Sequence, residues 1–191
     1  MIETFSINKS IAPPIHFTFQ DWGLLSYQKA WQAQEQLFKT AIASKMGGGA
    51  YDIPQMIIFC EHPHIYTLGK NGSLENLLID QPTLAHKGID FVKTDRGGDI
   101  TYHGYGQLMT YFILDLEQLK IGLRKFIFLI EEAIIHCLDR FGISTTRLEN
   151  APGVWTRQSE KICALGIIAS RHITMHGLAL NINPDLHFFD Y

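Results

Sequence analysis

Apolar residues recur at helical spacing in two stretches of the chain. The first lies between Leu24 and Lys45 and is followed by glycines at 47–49, and the second runs from about Leu123 to Phe141 before Gly142. A period near 3.6 residues with glycine after the last turn is typical of an amphipathic helix, so we predict two helices. Their apolar stripes consist of Leu24, Tyr27, Trp31, Phe38 and Ile42 in the first, and Phe126, Ile130, Ala133, Ile134, Cys137 and Phe141 in the second.

Most other apolar residues fall in short runs rich in β-branched and aromatic side chains, which predict strands. The runs are Gln55 to Cys60, Gly88 to Lys93, Leu108 to Leu116, Gly153 to Thr156, Lys161 to Ala169 and Thr174 to Asn183, with a shorter one near Ile15 to Phe19. Long loops are expected at 62–86 and 94–106. Two helices beside about six strands predict the α/β (α+β) class, with a mixed β-sheet and helices packed on one face.

Composition and charge narrow the functional classes. The 191 residues are 46% hydrophobic and 18% charged, without a repeat or linker, so we expect a single domain over 1–191. A net charge of -3 without a long Lys/Arg run favours neither nucleic acid nor a membrane surface as partner. Because no leader pattern and no apolar stretch of roughly 20 residues is present, a cytoplasmic protein is expected. Three cysteines, an odd number, favour reduced thiols over disulfides.

The segment from Arg96 to Gln107 is the most unusual in the sequence, with four glycines around an Arg, a Tyr and a His. Glycines let a backbone approach a ligand closely, so this loop is suited to wrapping an extended acyl chain or presenting N–H groups to an oxyanion. On the residues alone, a glycine-rich turn with a surface histidine is an open alternative. Neither the P-loop spacing nor the dinucleotide-binding fingerprint is present.

A second group of candidate residues lies on the last two predicted strands. Lys161 opens one of them, and a lysine in an enclosed site can hold a neighbouring thiol as thiolate; a solvated surface lysine is the alternative. His176 is either a proton relay or a structural histidine. Cys163, two positions after Lys161, would share its strand face and is either a Lys-activated nucleophile or a small packed residue.

The other cysteines and histidines suggest no further site. Cys60 and Cys137 lie among apolar residues and are predicted to be core residues. His62 and His64 flank a proline, but no matching Cys, His or carboxylate spacing accompanies them, so no metal site is predicted.

Five blocks, taken together in their order and spacing, resemble the lipoyl(octanoyl) transferases, a family that shares one fold superfamily with lipoate and biotin protein ligases. The resemblance runs from about residue 56 to the end of the sequence, and the first third agrees mainly in its helix pattern. The blocks are Glu61 to Gly69, Arg96 to Gln107, Pro152 to Trp155, Lys161 to Gly166 and His176 to Leu186.

This resemblance implies a reaction and its partners. An octanoyl group would pass from octanoyl-acyl carrier protein to an enzyme cysteine, and then to a lysine on lipoyl domains of 2-oxoacid dehydrogenases and on the glycine cleavage H protein. Neither ATP nor another cofactor is implied. Lys161 would lower the pKa of the cysteine, and His176 is the second catalytic candidate. The implied substrate-binding residues are Arg96, Gly97, Gly98, Asp99, Ile100, Thr101, Tyr102, His103, Ala164, Leu165, Gly166, Gly177, Leu178 and Ala179.

The sequence departs from the family pattern in two places. The family nucleophile sits in a Pro-Cys-Gly element a few residues beyond the block that here ends at Tyr191, so we expect a chain truncated at its C-terminus. Without that element, Cys163 is the only nearby thiol. Tyr105 stands where the family typically has proline. The alternatives are a non-catalytic acyl- or lipoyl-domain-binding protein of the same fold, and an ATP-dependent lipoate or biotin ligase.

Overall fold

A computed structural model describes residues 4–7, 15–47 and 55–191. The helices in these ranges are α1 (Tyr27–Met46), α2 (Gln81–His86) and α3 (Leu123–Asp139), with short 3-10 turns at Leu74–Asn76 and Leu186–Phe189. The strands are β1 (Thr4–Ile7), β2 (Ile15–Leu24), β3 (Gln55–Glu61), β4 (Ile65–Leu68), β5 (Asp90–Lys93), β6 (Ile100–His103), β7 (Gln107–Ile113), β8 (Thr145–Leu148), β9 (Ala151–Thr156), β10 (Lys161–Ser170) and β11 (Ile173–Asn181).

The strands form one large and one small mixed sheet. The large sheet has eight strands in the order β1-β2-β3-β7-β11-β10-β9-β8, and the small one has the order β5-β4-β6. In the large sheet β2 and β3 run parallel and the other neighbours antiparallel. In the small sheet β4 is parallel to β5 and antiparallel to β6. The predicted class, a mixed sheet with few helices, is confirmed.

The two long helices cover opposite faces of the large sheet, which differs from the predicted single covered face. Residues of α1 pack in one core cluster with Tyr111 and Met175, whereas residues of α3 pack in another with Phe112 and Leu178. Tyr111 and Phe112 are neighbours on β7, and successive strand residues point to opposite faces. Because both are apolar and buried, a central strand of this kind needs cover on both sides.

The second predicted helix is confirmed, but its buried stripe is rotated from the predicted one. Ala133, Cys137 and Phe141 are exposed, so the prediction of Cys137 as a core residue is wrong. The rotation follows from Glu131, which faces inward, accepts a hydrogen bond from the Gly153 N–H at 2.9 Å and pairs with Arg147. A buried carboxylate must keep such partners.

The predicted loops contain elements that the apolar pattern missed. Strands β4 and β6 lie inside the loops expected at 62–86 and 94–106, and they pair with each other. The short α2 begins where the Asp80 side chain accepts a hydrogen bond from the Thr83 N–H at 2.8 Å. In the described part of the chain, no helix is both long and apolar enough to span a membrane.

Candidate active site

A cavity of about 530 Å³ opens on the α1 side of the large sheet. One wall consists of β10 and β11, and the opposite wall is the glycine-rich segment at 96–103. The predicted residues among its lining are Lys161 and His176, together with Arg96, Gly98, Asp99, Ile100, Thr101, His103, Ala164, Leu165, Gly166, Gly177, Leu178 and Ala179. Gly97 and Tyr102 do not line it.

Gly97 has a different task, because it lets the loop lie directly on β10. A Cβ atom added at Gly166 would come within 3.0 Å of the Gly97 carbonyl oxygen, and one at Gly97 would lie 3.4 Å from that of Ile167. The next residue, Gly98, has φ of 89°, a conformation that favours glycine. The glycine pair therefore sets the distance between the two walls.

Arg96 fastens the loop to the small sheet. Its Nε donates to the Thr67 hydroxyl at 3.0 Å, and one terminal nitrogen donates to the Thr67 carbonyl at 2.6 Å. The other terminal nitrogen donates to the Gly97 carbonyl at 3.0 Å. Arg96 is only 8% exposed, and this burial lowers the pKa of its guanidinium group. A guanidinium with this many donors in use is a rigid anchor.

Tyr102 supports the cavity from behind. Because side chains alternate along β6, the Tyr102 ring points to the side opposite His103. On that side it stacks on the Phe188 ring, with the centroids 4.7 Å apart. Its hydroxyl lies 2.7 Å from His64 Nδ1. Because Phe188 belongs to the 3-10 turn that contributes Leu186 and Phe189 to the cavity, Tyr102 holds that part of the wall in place.

His103 is a neutral side chain inside the cavity wall. Its ring stacks on Tyr27 of α1 at 5.8 Å, and Nδ1 lies 3.2 Å from Gln107 Oε1. Burial, and secondly the charge of Arg96, lower the pKa of His103 to about 3. Since the amide oxygen only accepts, Nδ1 carries the proton and Nε2 can only accept a hydrogen bond. This imidazole does not gain a proton near neutral pH.

His176 lies opposite, on β11, and is 2% exposed. Its Nε2 is 2.9 Å from Asp95 Oδ1, and this hydrogen bond lowers the pKa of Asp95. Asp95 directly precedes Arg96, so the His176–Asp95 contact ties β11 to the loop. Asp95 did not emerge from the sequence, where nothing connects it to a residue 81 positions away.

Lys161 and Cys163 are not brought into one site. Lys161 is exposed at the cavity, with Nζ 4.6 Å from the centroid of the Trp155 ring. Cys163 is fully buried in the α3-side cluster, and burial, with the Glu131 charge, raises its pKa to about 12. The pairing of β10 with β9 shifts register between the two residues, which breaks the alternation assumed for a shared face. The structure favours packing as the role of Cys163.

The other cysteines and histidines give no catalytic group at the cavity. Burial raises the pKa of Cys60 to about 12, and Cys137 is exposed on α3. His62 uses both ring nitrogens, donating to the Leu25 carbonyl and accepting from the Tyr111 hydroxyl, each at 2.6 Å. Among residues 4–7, 15–47 and 55–191, no group of three or more His, Cys, Asp or Glu side chains could hold a metal ion.

Sequence reasoning missed several lining residues. The missed residues lie on helices and strands, at positions that the sequence alone does not distinguish from ordinary core or turn positions. They are Tyr27, Gln107, Met109, Tyr111 and Asn181. Leu186 lies at the end of the block His176 to Leu186 that carries the family resemblance, whereas Phe189 lies outside the five blocks.

Comparison with known proteins identifies the fold and the family. A bi-partite lipoate protein ligase from Thermoplasma acidophilum superposes with a TM-score of 0.68 at 16% identity, covering 90% of this chain and 63% of that one, which shows a shared fold. The family model described as "Lipoyl protein ligase A/B catalytic domain" matches residues 26–191. The chain belongs to this family.

Two relatives are named octanoyltransferase. That of Bacteroides thetaiotaomicron is 47% identical over 175 residues, which cover 90% of this chain and 76% of the relative. That of Flavobacterium psychrophilum is 48% identical over 179 residues, covering 90% of this chain and 77% of the relative.

Proposed function

We propose that the protein is an octanoyltransferase that moves an octanoyl group from octanoyl-acyl carrier protein to a lysine of lipoyl domains. The names of relatives at 47% and 48% identity support this acyltransferase activity. The observation that carries the proposal is the cavity itself, in which a wall of small and apolar residues leads to the exposed lysine Lys161.

The cavity suits an alkyl chain. Ala164, Leu178, Ala179 and Met109 line it together with the glycine-rich loop. An octanoyl group has six methylenes, and burial of each contributes about 0.8 kcal/mol, so the chain contributes about 5 kcal/mol of binding free energy. Arg96 and the Gly97–Gly166 contact hold the walls apart at fixed distance, which limits what fits between them.

The chemistry is acyl transfer through a cysteine thioester. A thiolate attacks the carbonyl carbon of octanoyl-acyl carrier protein and the carrier thiol leaves; the lysine amine then attacks the enzyme thioester and releases the thiolate. Lys161 favours the thiolate by its positive charge. We place the nucleophile beyond Tyr191, because Cys60 and Cys163 are buried with pKa values raised to about 12 and Cys137 lies on α3. The acceptors are lipoyl domains of 2-oxoacid dehydrogenases and the glycine cleavage H protein.

The test is an intact-mass measurement after incubation with octanoyl-loaded acyl carrier protein and a lipoyl domain. A chain that continues through a Pro-Cys-Gly element should gain one octanoyl group and pass it to the lipoyl domain, whereas residues 1–191 alone should stay unmodified. Acylation of residues 1–191 would move the nucleophile to one of the three cysteines present. Absence of transfer by the longer chain would contradict the proposed activity.

A further inference from the structure

The cavity changes from an exposed end to a buried end. Lys161, Leu186 and Phe189 line it and are exposed, whereas Tyr27 and Tyr111 line it and are buried. The mouth of the cavity is therefore at the Lys161 end. An acyl group that is still attached to a carrier must keep its attachment at this mouth and extend towards the buried end.

Residues on the cavity side of β10 and β11 form successive rows. The register of β10 shifts after Lys161, so Lys161 and Ala164 both line the cavity. Ala164 pairs with Ala179, and two residues further along the strand Gly166 pairs with Gly177. From the mouth inwards, the sheet therefore presents a lysine, a pair of methyl groups and a pair of glycines.

A backbone contact closes the buried end. A Cβ atom added at Gly166 would lie 3.0 Å from the Gly97 carbonyl oxygen and 3.4 Å from Cδ of Arg96. Two chain segments that have no room for a methyl group between them leave none for an alkyl chain. Hydrogen bonds of the Arg96 guanidinium group anchor this wall, and the Tyr27 ring, stacked on His103, covers the space beside it.

The distance from the mouth to this wall matches one alkyl chain length. Asn181 marks the mouth, because its side chain donates to the Lys161 carbonyl at 3.3 Å. From Asn181 to Gly177, an antiparallel strand spans about 13 Å, of which van der Waals contact at the ends takes about 4 Å. An extended octanoyl chain is about 9 Å long from its carbonyl carbon to its terminal methyl carbon.

We propose that the acyl chain lies along β10 with its carbonyl carbon beside Lys161 and its terminal methyl group against Gly166, and that the Gly97–Gly166 contact is the end stop that excludes chains longer than octanoyl. This inference rests on the proposed function and adds the direction of the acyl chain and the limit on its length. Ala164 lies midway, so the size of its side chain determines whether the inner part of the cavity can be reached.

The first test is a calorimetric titration of the protein with unreactive acyl-pantetheine amides of increasing chain length. From hexanoyl to octanoyl the affinity should rise about 10-fold, because two more methylenes are buried. Decanoyl and dodecanoyl should bind no more tightly than octanoyl, because the added carbons meet the end stop. A rise that continues through dodecanoyl would overturn the inference, whereas absence of binding at every length would reject the proposed function instead.

The second test fills the passage halfway. In the chain that is active in the mass experiment, Ala164→Val should lower the ratio of octanoyl to butanoyl transferred from an equimolar mixture of donors by about 30-fold, because overpacking affects only the longer chain. The matched control is Ala169→Val, at an exposed position of β10 beyond Gly166, which should keep the wild-type ratio. An unchanged ratio in folded Ala164→Val would contradict the proposed path.

The direction of the chain is read in the wild type, without any substitution, from intermolecular NOEs to bound octanoyl-pantetheine amide. The terminal methyl group should show NOEs to the α-protons of Gly166 and Gly177, and the pantetheine protons should show NOEs to the methyl groups of Leu186. The reverse pattern, with the terminal methyl group near Leu186, would overturn the inference while leaving binding in the cavity intact.

Discussion

The two faces of the large sheet have the same strands and very different contents. The α3 face is a cluster of apolar side chains, among them Phe112, Val154 and Cys163. The α1 face carries the cavity, a buried arginine, a histidine in the left-handed region and a loop lying directly on β10. Successive residues of one strand point to opposite faces of the sheet, so the same strands supply a packed core on the α3 face and a binding cavity on the α1 face. Residues for stability and residues for binding therefore alternate along each strand and do not lie in different domains. Substitutions on the two faces should therefore have different effects.

The largest expected effect concerns Lys161, an exposed lysine whose Nζ lies over the Trp155 ring. Lys161→Ala should lower the rate of octanoyl transfer by about 10³-fold, because the thiolate loses its positive neighbour, while thermal unfolding changes little. The matched control is Lys125→Ala on α3, where Nζ lies 4.7 Å from the Phe128 ring centroid. Near-normal transfer by Lys161→Ala would contradict the assigned role.

Arg96→Ala should lower the free energy of unfolding by about 3 kcal/mol, because Thr67 and Gly97 lose charged donors in a buried site. Arg96→Lys keeps the charge but not the fork, and should recover part of the loss. Urea unfolding measures both. The control is Arg124→Ala, at an exposed position of α3, which should change the free energy of unfolding by less than about 0.5 kcal/mol. If Arg124→Ala lowered it as much as Arg96→Ala does, the proposed difference between the two faces would be contradicted.

Acidic pH should lower the free energy of unfolding, because histidines on the α1 face of the large sheet are buried in their neutral form. His103 has its pKa lowered from 6.5 to about 3, so below pH 6.5 the unfolded chain binds a proton that the folded chain excludes. Stability is full above pH 6.5 and falls by about 2 kcal/mol by pH 5. Burial also lowers the pKa of His62, so this histidine changes the stability in the same direction.

Urea unfolding at pH 7 and pH 5 measures this loss, and His103→Gln should reduce it. His187 is a control of opposite sign, because Asp185 raises its pKa and protonation there favours the folded state. His187→Gln should make the fall slightly steeper. A wild-type stability that is equal at both pH values would contradict the burial of neutral His103.

The smallest effect is expected on the α3 face. Cys163→Ala should cost about 1 kcal/mol of stability, from the lost sulfur contacts, and leave transfer unchanged. Urea unfolding and the transfer rate together check this. Loss of transfer with the fold preserved would make Cys163 the nucleophile.

The sequence predicted the elements with strong local periodicity and missed those defined by partners. The helices around Trp31 and Phe126 were visible because their apolar spacing covers several turns. Strands β4 and β6 have four residues each and are recognisable only by their mutual pairing. The inward face of α3 is fixed by the contact of Glu131 with Gly153, and the place of Asp95 in the site is fixed by its contact with His176 on β11. Neither contact can be recognised from the residues near it in the sequence.

The most direct test of the central claim, that the cavity holds the acyl chain, is a methyl NMR titration with octanoyl-pantetheine amide, an unreactive analogue of the donor. The claim predicts shifts for the methyl groups of Ala164, Ala179 and Leu186, which line the cavity, and none for Leu129 and Ala133 on the exposed side of α3. Shifts confined to the α3 side, or saturating binding without a change at the cavity methyl groups, would contradict it.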